Sequence, residues 1–480
     1  MRPKTPLLEK TPFAISPIPM AGAHTPHAGL CAFSRVLRSL RIPAACREHL
    51  HIKKRESGFS PEQSLEALVL LHLAGGTHMS DIEALRKNES IEKMLGYTPP
   101  TQRCIADFLE AFHDQDLLHQ ARERADRNKQ LSMLPDPSPA LLGLEAVMRD
   151  ALHVLCAHMF ADETVATIDL DGTIIESAKQ QAHRTYQGST GYQPLVAQWA
   201  ETGLIVADEF RDGNVPANFS PRTCTRAAFA ALPDTVTTWY FRGDSACHEH
   251  DLLSWLRDPH RSSGPRGEIL FAISARMSPE LAAHLRRVHE TRWITYDVEQ
   301  DGTQRQWTDL SFVPSERSER KGITPLRYIG LRLLKPQGEL FADGNDRHFY
   351  AIITNRSDPD GAAIAVWHRA KAGTIEHVHD ELKNGLGAGC LPSAKFGANA
   401  AWFRIACIAY NIMHAVRTAW PDEEVRNARA KRIRFVIINV TGRFSRDRRK
   451  ITLHLSAPEE WIQHLMTLFD RFPLRTQPTG

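Results

Sequence analysis

Asp169, Asp171, Asp244, Glu376 and Glu381 are the residues of this 480-residue chain whose type and setting could hold a metal ion. Asp169 and Asp171 close the short β-branched run Thr164–Asp171. Asp244 follows the run Thr237–Arg242 within Phe241-Arg-Gly-Asp-Ser245, and Glu376 and Glu381 lie in a helical stretch far downstream. Singly, an Asp at a strand end is most often a turn former or a helix cap. Gathered on neighbouring strand ends, two carboxylates would repel, and one would keep its proton unless cations neutralised them. Hard oxygen donors select Mg2+ or Mn2+. Two such ions about 3.5–4 Å apart activate a water or a 3′-hydroxyl and steady the leaving oxygen of an in-line phosphodiester displacement. The chemistry implied is the cutting and joining of a DNA backbone.

A second reading uses the same residues. Asp169-Leu-Asp-Gly-Thr173 reproduces the nucleophile sequence of haloacid-dehalogenase-like phosphatases, in which the first Asp attacks phosphorus and the second acts as acid and base. Such enzymes need a parallel doubly wound sheet and a second Asp soon after Gly243-Asp244, whereas the next one here is Asp251. A third possibility is a DNA-binding protein whose catalysis has decayed. His377 and His379, two apart on a helix, point away from each other and make a poor metal pair.

The elements that must position these groups follow from periodicity. Residues 1–30 carry six prolines and no apolar period, which predicts a loose arm. Capping boxes at Ser60-Pro61-Glu62-Gln63 and Ser80-Asp81-Ile82-Glu83, stops at Gly75 and Gly96, and a start near Thr101 predict a helix-turn-helix-like DNA-binding region over 31–134. A proline-rich linker and a helix occupy 135–160. From 161 to 275 the period predicts strands at 164–171, 194–201, 204–210, 237–242 and 269–274, with helices at 220–232 and 248–257. That β-β-β-α-β-α-β order is the ribonuclease H-like arrangement, an α/β fold with a mixed sheet. Residues 276–355 read as a β insertion with strands at 293–298, 304–313, 327–334 and 349–354. The second part of the core spans 356–455, with helices at 373–386 and 398–419, and a C-terminal helix and tail fill 456–480.

Composition narrows the class. A hydrophobic fraction of 42%, a charged fraction of 24% and a mean hydropathy of −0.35 exclude a disordered or polytopic membrane chain. No apolar run approaches the ~20 residues a bilayer needs, and the first twenty residues lack a secretory h-region. A cytoplasmic location and no membrane partner are expected. Eight cysteines without a Cys-x-x-Cys pair suit reduced thiols. The net charge of +3 is uninformative, but ten Lys/Arg between Arg426 and Lys450, among them Arg432, Arg434, Arg443 and Arg448, face one acid, Asp447. This stretch can neutralise phosphates. Alternation of Ile433, Phe435 and Ile437 with Arg434, Val436 and Ile438 predicts that part of it is a strand.

Thr167-Ile-Asp-Leu-Asp-Gly-Thr-Ile-Ile-Glu-Ser177, Thr185-Tyr-Gln-Gly, Gly191-Tyr-Gln-Pro-Leu195, Trp199-Ala-Glu-Thr-Gly203 and Phe210-Arg-Asp-Gly-Asn-Val-Pro216 resemble the DDE transposases of bacterial insertion sequences. So do Arg242-Gly-Asp-Ser-Ala246, Glu376-His-Val-His-Asp-Glu-Leu-Lys-Asn384 and Phe396-Gly-Ala-Asn-Ala-Ala-Trp402, and the set covers about residues 60–450. The similar group carries a β insertion before its final Glu. The resemblance implies cut-and-paste movement of the protein's own element, with Asp171, Asp244 and Glu376 as catalytic residues holding two Mg2+ ions, for which Mn2+ can substitute. Asp169 and Glu381 are the alternatives. Glu376 is preferred because the family's Glu is followed seven positions later by Lys, here Lys383, a candidate phosphate contact. Where related transposases often have Tyr and Arg, seven and four residues before the Glu, this chain has Arg369 and Ala372, so Arg369 or Lys371 is expected to meet phosphate. An aromatic of the insertion, Trp307 or Trp293, is expected to stack on an extruded base. The implied partners are double-stranded DNA, as terminal inverted repeats and target, and a second copy of the chain in a homodimer.

Overall fold

Nine short β-branched and aromatic runs pair into one mixed sheet in the computed structural model, which describes residues 22–53, 58–179, 182–314, 325–448 and 450–474. In chain order they are β1 (Val165–Gly172), β2 (Leu195–Trp199), β3 (Leu204–Glu209), β4 (Thr238–Gly243), β5 (Ile269–Ser274), β6 (Ile294–Val298), β7 (Gln304–Leu310), β8 (Arg327–Leu334) and β9 (Arg347–Thr354). Across the sheet the order is β6-β7-β8-β9-β5-β4-β1-β2-β3. The first five strands therefore stand as 3-2-1-4-5, with β1 antiparallel to β2 and parallel to β4. This is the α/β arrangement expected from the sequence, with helices Pro221–Ala230 and His250–Arg257 in their expected places.

The β insertion does not form a separate body. β9 pairs antiparallel with β5, from Ile352 opposite Ser274 to Thr354 opposite Ala272, so the insertion extends the core sheet across what would have been an open edge. A small sheet of Ile175–Glu176, His183–Arg184 and Thr190–Tyr192 follows β1. Strands of two or three residues leave no alternation to read, and the sequence did not announce them.

Helix Pro61–Ala74 begins at the expected capping box, with Ser60 and Gln63 bonded reciprocally, and ends at Gly75, whose φ of 97° suits glycine. The second box does not form. Asp81 instead accepts the amides of Thr77 and His78 at 2.9 Å, and helix Ile82–Arg86 starts after that turn. Helix 61–74 is buried continuously from Ser64 to Leu73, so it is a core element and cannot lie in a DNA groove. Its burial, and that of helices Leu30–Ser39 and Pro139–Met159, is against helix Phe396–Ala419, in which every residue is buried except His414 and Thr418, and these two are largely covered. One continuous apolar cluster joins this helical region to the sheet. No helix among the described residues is long and apolar enough to cross a membrane.

Two expectations are corrected. Within the supposed loose arm, Ala23–Thr25 pairs antiparallel with Gly442–Phe444, while residues 1–21 lie outside the described residues. The segment read as a strand at 433–438 is helical: Ala430–Ile433 runs into a π-helical turn, Arg434–Ile438. Ile433 and Ile437 are also four apart, so the same residues fit a buried helical face, and the strands come later at Thr441–Asp447 and Lys450–Ser456.

Burial holds three imidazoles neutral: it pulls His72, packed on Trp402, down to about 4, His368 to about 4 and His414 to about 3. An unfolded chain takes up these protons near pH 6.5 and the fold refuses them, so stability is complete above that pH and lost as pH falls toward 4. The slope is about 1.4 kcal/mol per pH unit for each imidazole. Thermal unfolding from pH 7 to 4.5 should therefore show a steadily falling Tm, and a flat profile would contradict this burial.

Candidate active site

Parallel pairing of β1 with β4 sets Leu170 opposite Gly243, so the next residues, Asp171 and Asp244, emerge side by side at the carboxyl ends of adjacent strands. Both are partly covered, and the cost of that burial is met differently at each. Burial would raise Asp171, but the His379 ring and the Lys371 ammonium outweigh it and hold this carboxyl below its ordinary range. Lys371 Nζ is 3.4 Å from Asp171 Oδ1, and His379 Nε2 is 3.5 Å from Oδ2. Asp244 goes the other way: burial and the Asp171 charge raise it despite Lys371. Lys371 itself is held above its ordinary value, because the two aspartates more than offset its burial. Its ammonium is the internal cation of an Asp171, Lys371 and Asp244 cluster.

These strand ends open into a cavity of about 470 Å³ lined by Asp171, Asp244, Glu176, Tyr186, Gln193 and Lys383, among others. A larger cavity, about 600 Å³ between residues 112–145 and helix 396–419, contains none of the candidate catalytic residues. Lys383 leaves a π-helical turn, Glu381–Gly385, with its Nζ 3.5 Å from the Ile174 carbonyl at the cavity wall. Such turns recur at functional sites. Glu376 lies in the first turn of helix Ile375–Asp380, exposed, three residues before His379. Its carboxylate does not close on the pair. Among the described residues only Glu48, His49 and Asp150 bring three ligand atoms within 4.8 Å of one another.

The alternatives occupy different surroundings. Asp169 lies two residues before Asp171 on the same face but is fully buried. It accepts Arg242 Nε at 2.6 Å and Nη2 at 2.7 Å, and Thr374 Oγ1 at 3.2 Å. No face of this carboxylate is open for attack on a phosphorus, and β1 is flanked by an antiparallel strand, so the phosphatase reading fails. Glu381 is buried too, accepting the Ala430 amide at 2.8 Å and Arg417 Nη1 at 3.2 Å; it clips the basic segment to the core.

Of the expected DNA contacts, Lys383 reaches the cavity, and Arg369 is half-exposed beside Asp297 at 3.3 Å. Lys371 is spent on the aspartates. Arg432, Arg443 and Arg448 are exposed, the last two on the 441–456 hairpin. Arg434 is not available: its guanidinium donates to the carbonyls of His72, Leu73 and Gly385. Trp307 is likewise corrected, since its ring packs among Ala272, Ile329, Ile352 and Ile364 and against Gly361, where a Cβ would come within 2.4 Å of it. Trp293 is covered as well, with Arg332 4.6 Å above its ring. The divergence of the two histidines agrees with their spacing: His379 meets Asp171, whereas His377 meets Arg429 at 3.2 Å. The sequence missed the positions of His379 beside Asp171, of Thr374 on Asp169, and of Tyr186 at the cavity rim.

The donor set fits a divalent cation. Two hard carboxylates sit on rigid strand ends; burial and, after it, the Asp171 charge raise Asp244, and such an ion relieves that repulsion. A family model described as "Transposase DDE domain group 1" matches residues 21–474. No curated protein sequence matches the chain. Among solved structures, a cryo-EM structure of the piggyBac transposase synaptic complex with hairpin DNA is similar over 85% of this chain and 79% of that chain, at 10% identity and a TM-score of 0.43. The chain belongs to the DDE transposases, enzymes that use divalent metal ions to cleave DNA and transfer its strands.

Proposed function

We propose that Asp171, Asp244 and Glu376 hold two Mg2+ ions and that this centre cleaves the ends of the protein's own element and joins them to target DNA. The observation that carries this reading is the register of β1 and β4, which sets two aspartates together over a cavity that also holds a lysine. When bound, the ions supply Lewis acidity to the attacking and leaving oxygens. The chain's residues do the rest. Asp171 and Asp244, fixed by the sheet, would hold the ions in place; Lys383 meets a phosphate of the bound DNA. Lys371 balances the aspartates until cations and DNA arrive. Glu376 completes the centre by a movement of its helix, at whose start Thr374 bonds to Asp169 of β1. Exposed Arg432, Arg443 and Arg448 extend the contact along the DNA backbone, and two copies of the chain act together on paired ends, in the cytoplasm.

The test is Mg2+-dependent cleavage of a duplex carrying the inverted repeats that flank the gene. Glu376→Gln should lose cleavage by at least about a hundredfold with its Tm unchanged, because the residue is exposed and has no partner among the described residues. Glu381→Gln should instead lower Tm, since Arg417 would be left buried without its carboxylate. Full cleavage by Glu376→Gln would remove that residue from the centre.

A further inference from the structure

Tyr186 is 72% exposed, although it stands at the wall of the catalytic cavity and most large apolar side chains of this fold are covered. The residue occupies the turn between His183–Arg184 and Thr190–Tyr192. That turn is well tied: the Thr185 amide donates to the Ser189 carbonyl at 2.7 Å, and Gly188, at φ 90°, donates to Thr185 at 3.0 Å. Strand Thr190–Tyr192 pairs in turn with Ile175–Glu176, which follows the strand end bearing Asp171. Gln187 Nε2 donates to the Tyr186 hydroxyl at 3.2 Å. The ring is therefore presented to solvent by a fixed turn, a few residues of sheet away from the aspartates.

An aromatic face left open beside phosphate-binding groups is suited to stacking on a nucleobase, which every base can satisfy. The two tryptophans that the sequence offered for this purpose are buried. We infer that Tyr186 stacks on a base adjoining the scissile phosphate and so seats that phosphate at Asp171 and Asp244, with Lys383 on a neighbouring phosphate. The inference rests on the transposase reading and adds to it the residue that registers the DNA end in the cavity.

The experiment uses the full chain and a duplex bearing the flanking inverted repeat, its terminal nucleotides unpaired, with single bases removed in turn around the cut. Binding is measured in the Asp244→Asn background and cleavage in the otherwise native chain, for Tyr186→Ala and Tyr186→Phe. On intact DNA, Tyr186→Ala should weaken binding and cleavage by about tenfold, and Tyr186→Phe by less than about twofold. On DNA lacking the one stacked base, the native chain should fall to the level of Tyr186→Ala, and the alanine should cost nothing more. Equal losses on every abasic substrate, an alanine variant that matches the native chain, or a phenylalanine variant as weak as alanine would each overturn the stacking role. Native protein that cleaves normally while this coupling is absent would sink Tyr186 alone; native protein that neither binds nor cuts the end DNA would sink the transposase reading, and this inference with it.

Discussion

Asp244→Asn should reduce strand cleavage by at least about 10³-fold while leaving affinity for end DNA within about twofold. The amide has the shape of the carboxylate but supplies no anionic oxygen, so the divalent site loses one of its two fixed ligands. Nothing else need move. Lys371 keeps Asp171 at 3.4 Å, and the amide oxygen can still accept the Ala246 amide that Asp244 Oδ1 accepts at 3.0 Å. The stability effect has a definite sign as well. Burial and Asp171 hold the Asp244 carboxyl above its ordinary value, so its charge is a cost to the fold, and Tm should stay the same or rise. Cleavage assays, mobility-shift titrations and thermal unfolding of the same preparation check the three parts. A fall in Tm together with lost DNA binding would mean that Asp244 serves the fold.

Asp169→Ala is expected to do the reverse, costing about 3–5 kcal/mol of stability before any chemistry is considered. It leaves the Arg242 guanidinium buried with only the Trp367 carbonyl, at 2.7 Å, and the Trp367 ring as partners. It also removes the bond that Thr374, at the start of the helix that carries Glu376, makes to β1, so cleavage should fall even though Asp171 and Asp244 remain. Replacing both partners, as Asp169→Leu with Arg242→Met, should recover most of the stability, because no lone charge is then buried. Chemical denaturation of the single and double variants measures this; a single-variant loss under about 1 kcal/mol would show that the pair contributes little.

The five core strands were legible because each is a short β-branched run bounded by turn residues, and their order alone placed Asp171 beside Asp244. What the sequence could not convey is which face of a strand or helix something else covers. Trp307 looked like an available aromatic, but helix Gly361–Arg369, which no strong periodicity announced, lies over it. Arg434 sat in a basic run and looked solvated, yet the turn that carries it folds back onto the end of helix 61–74. Lys371 was legible as a cation and not as a counter-ion, because its approach to Asp171 depends on the tight turn Ala370–Gly373 after helix Gly361–Arg369. Tyr186 was visible only as part of a family signature; its exposure is a property of a three-stranded sheet too small to read.

The most direct test of the metal centre is anomalous scattering from Mn2+ in crystals of the chain bound to its end DNA. The expected result is two peaks about 3.5–4 Å apart, both bounded by Asp171 and Asp244 and one also touching Glu376. Ions found only at Glu48, His49 and Asp150, or a fully bound DNA end with Lys371 still paired with Asp171 and no metal beside the two aspartates, would contradict it.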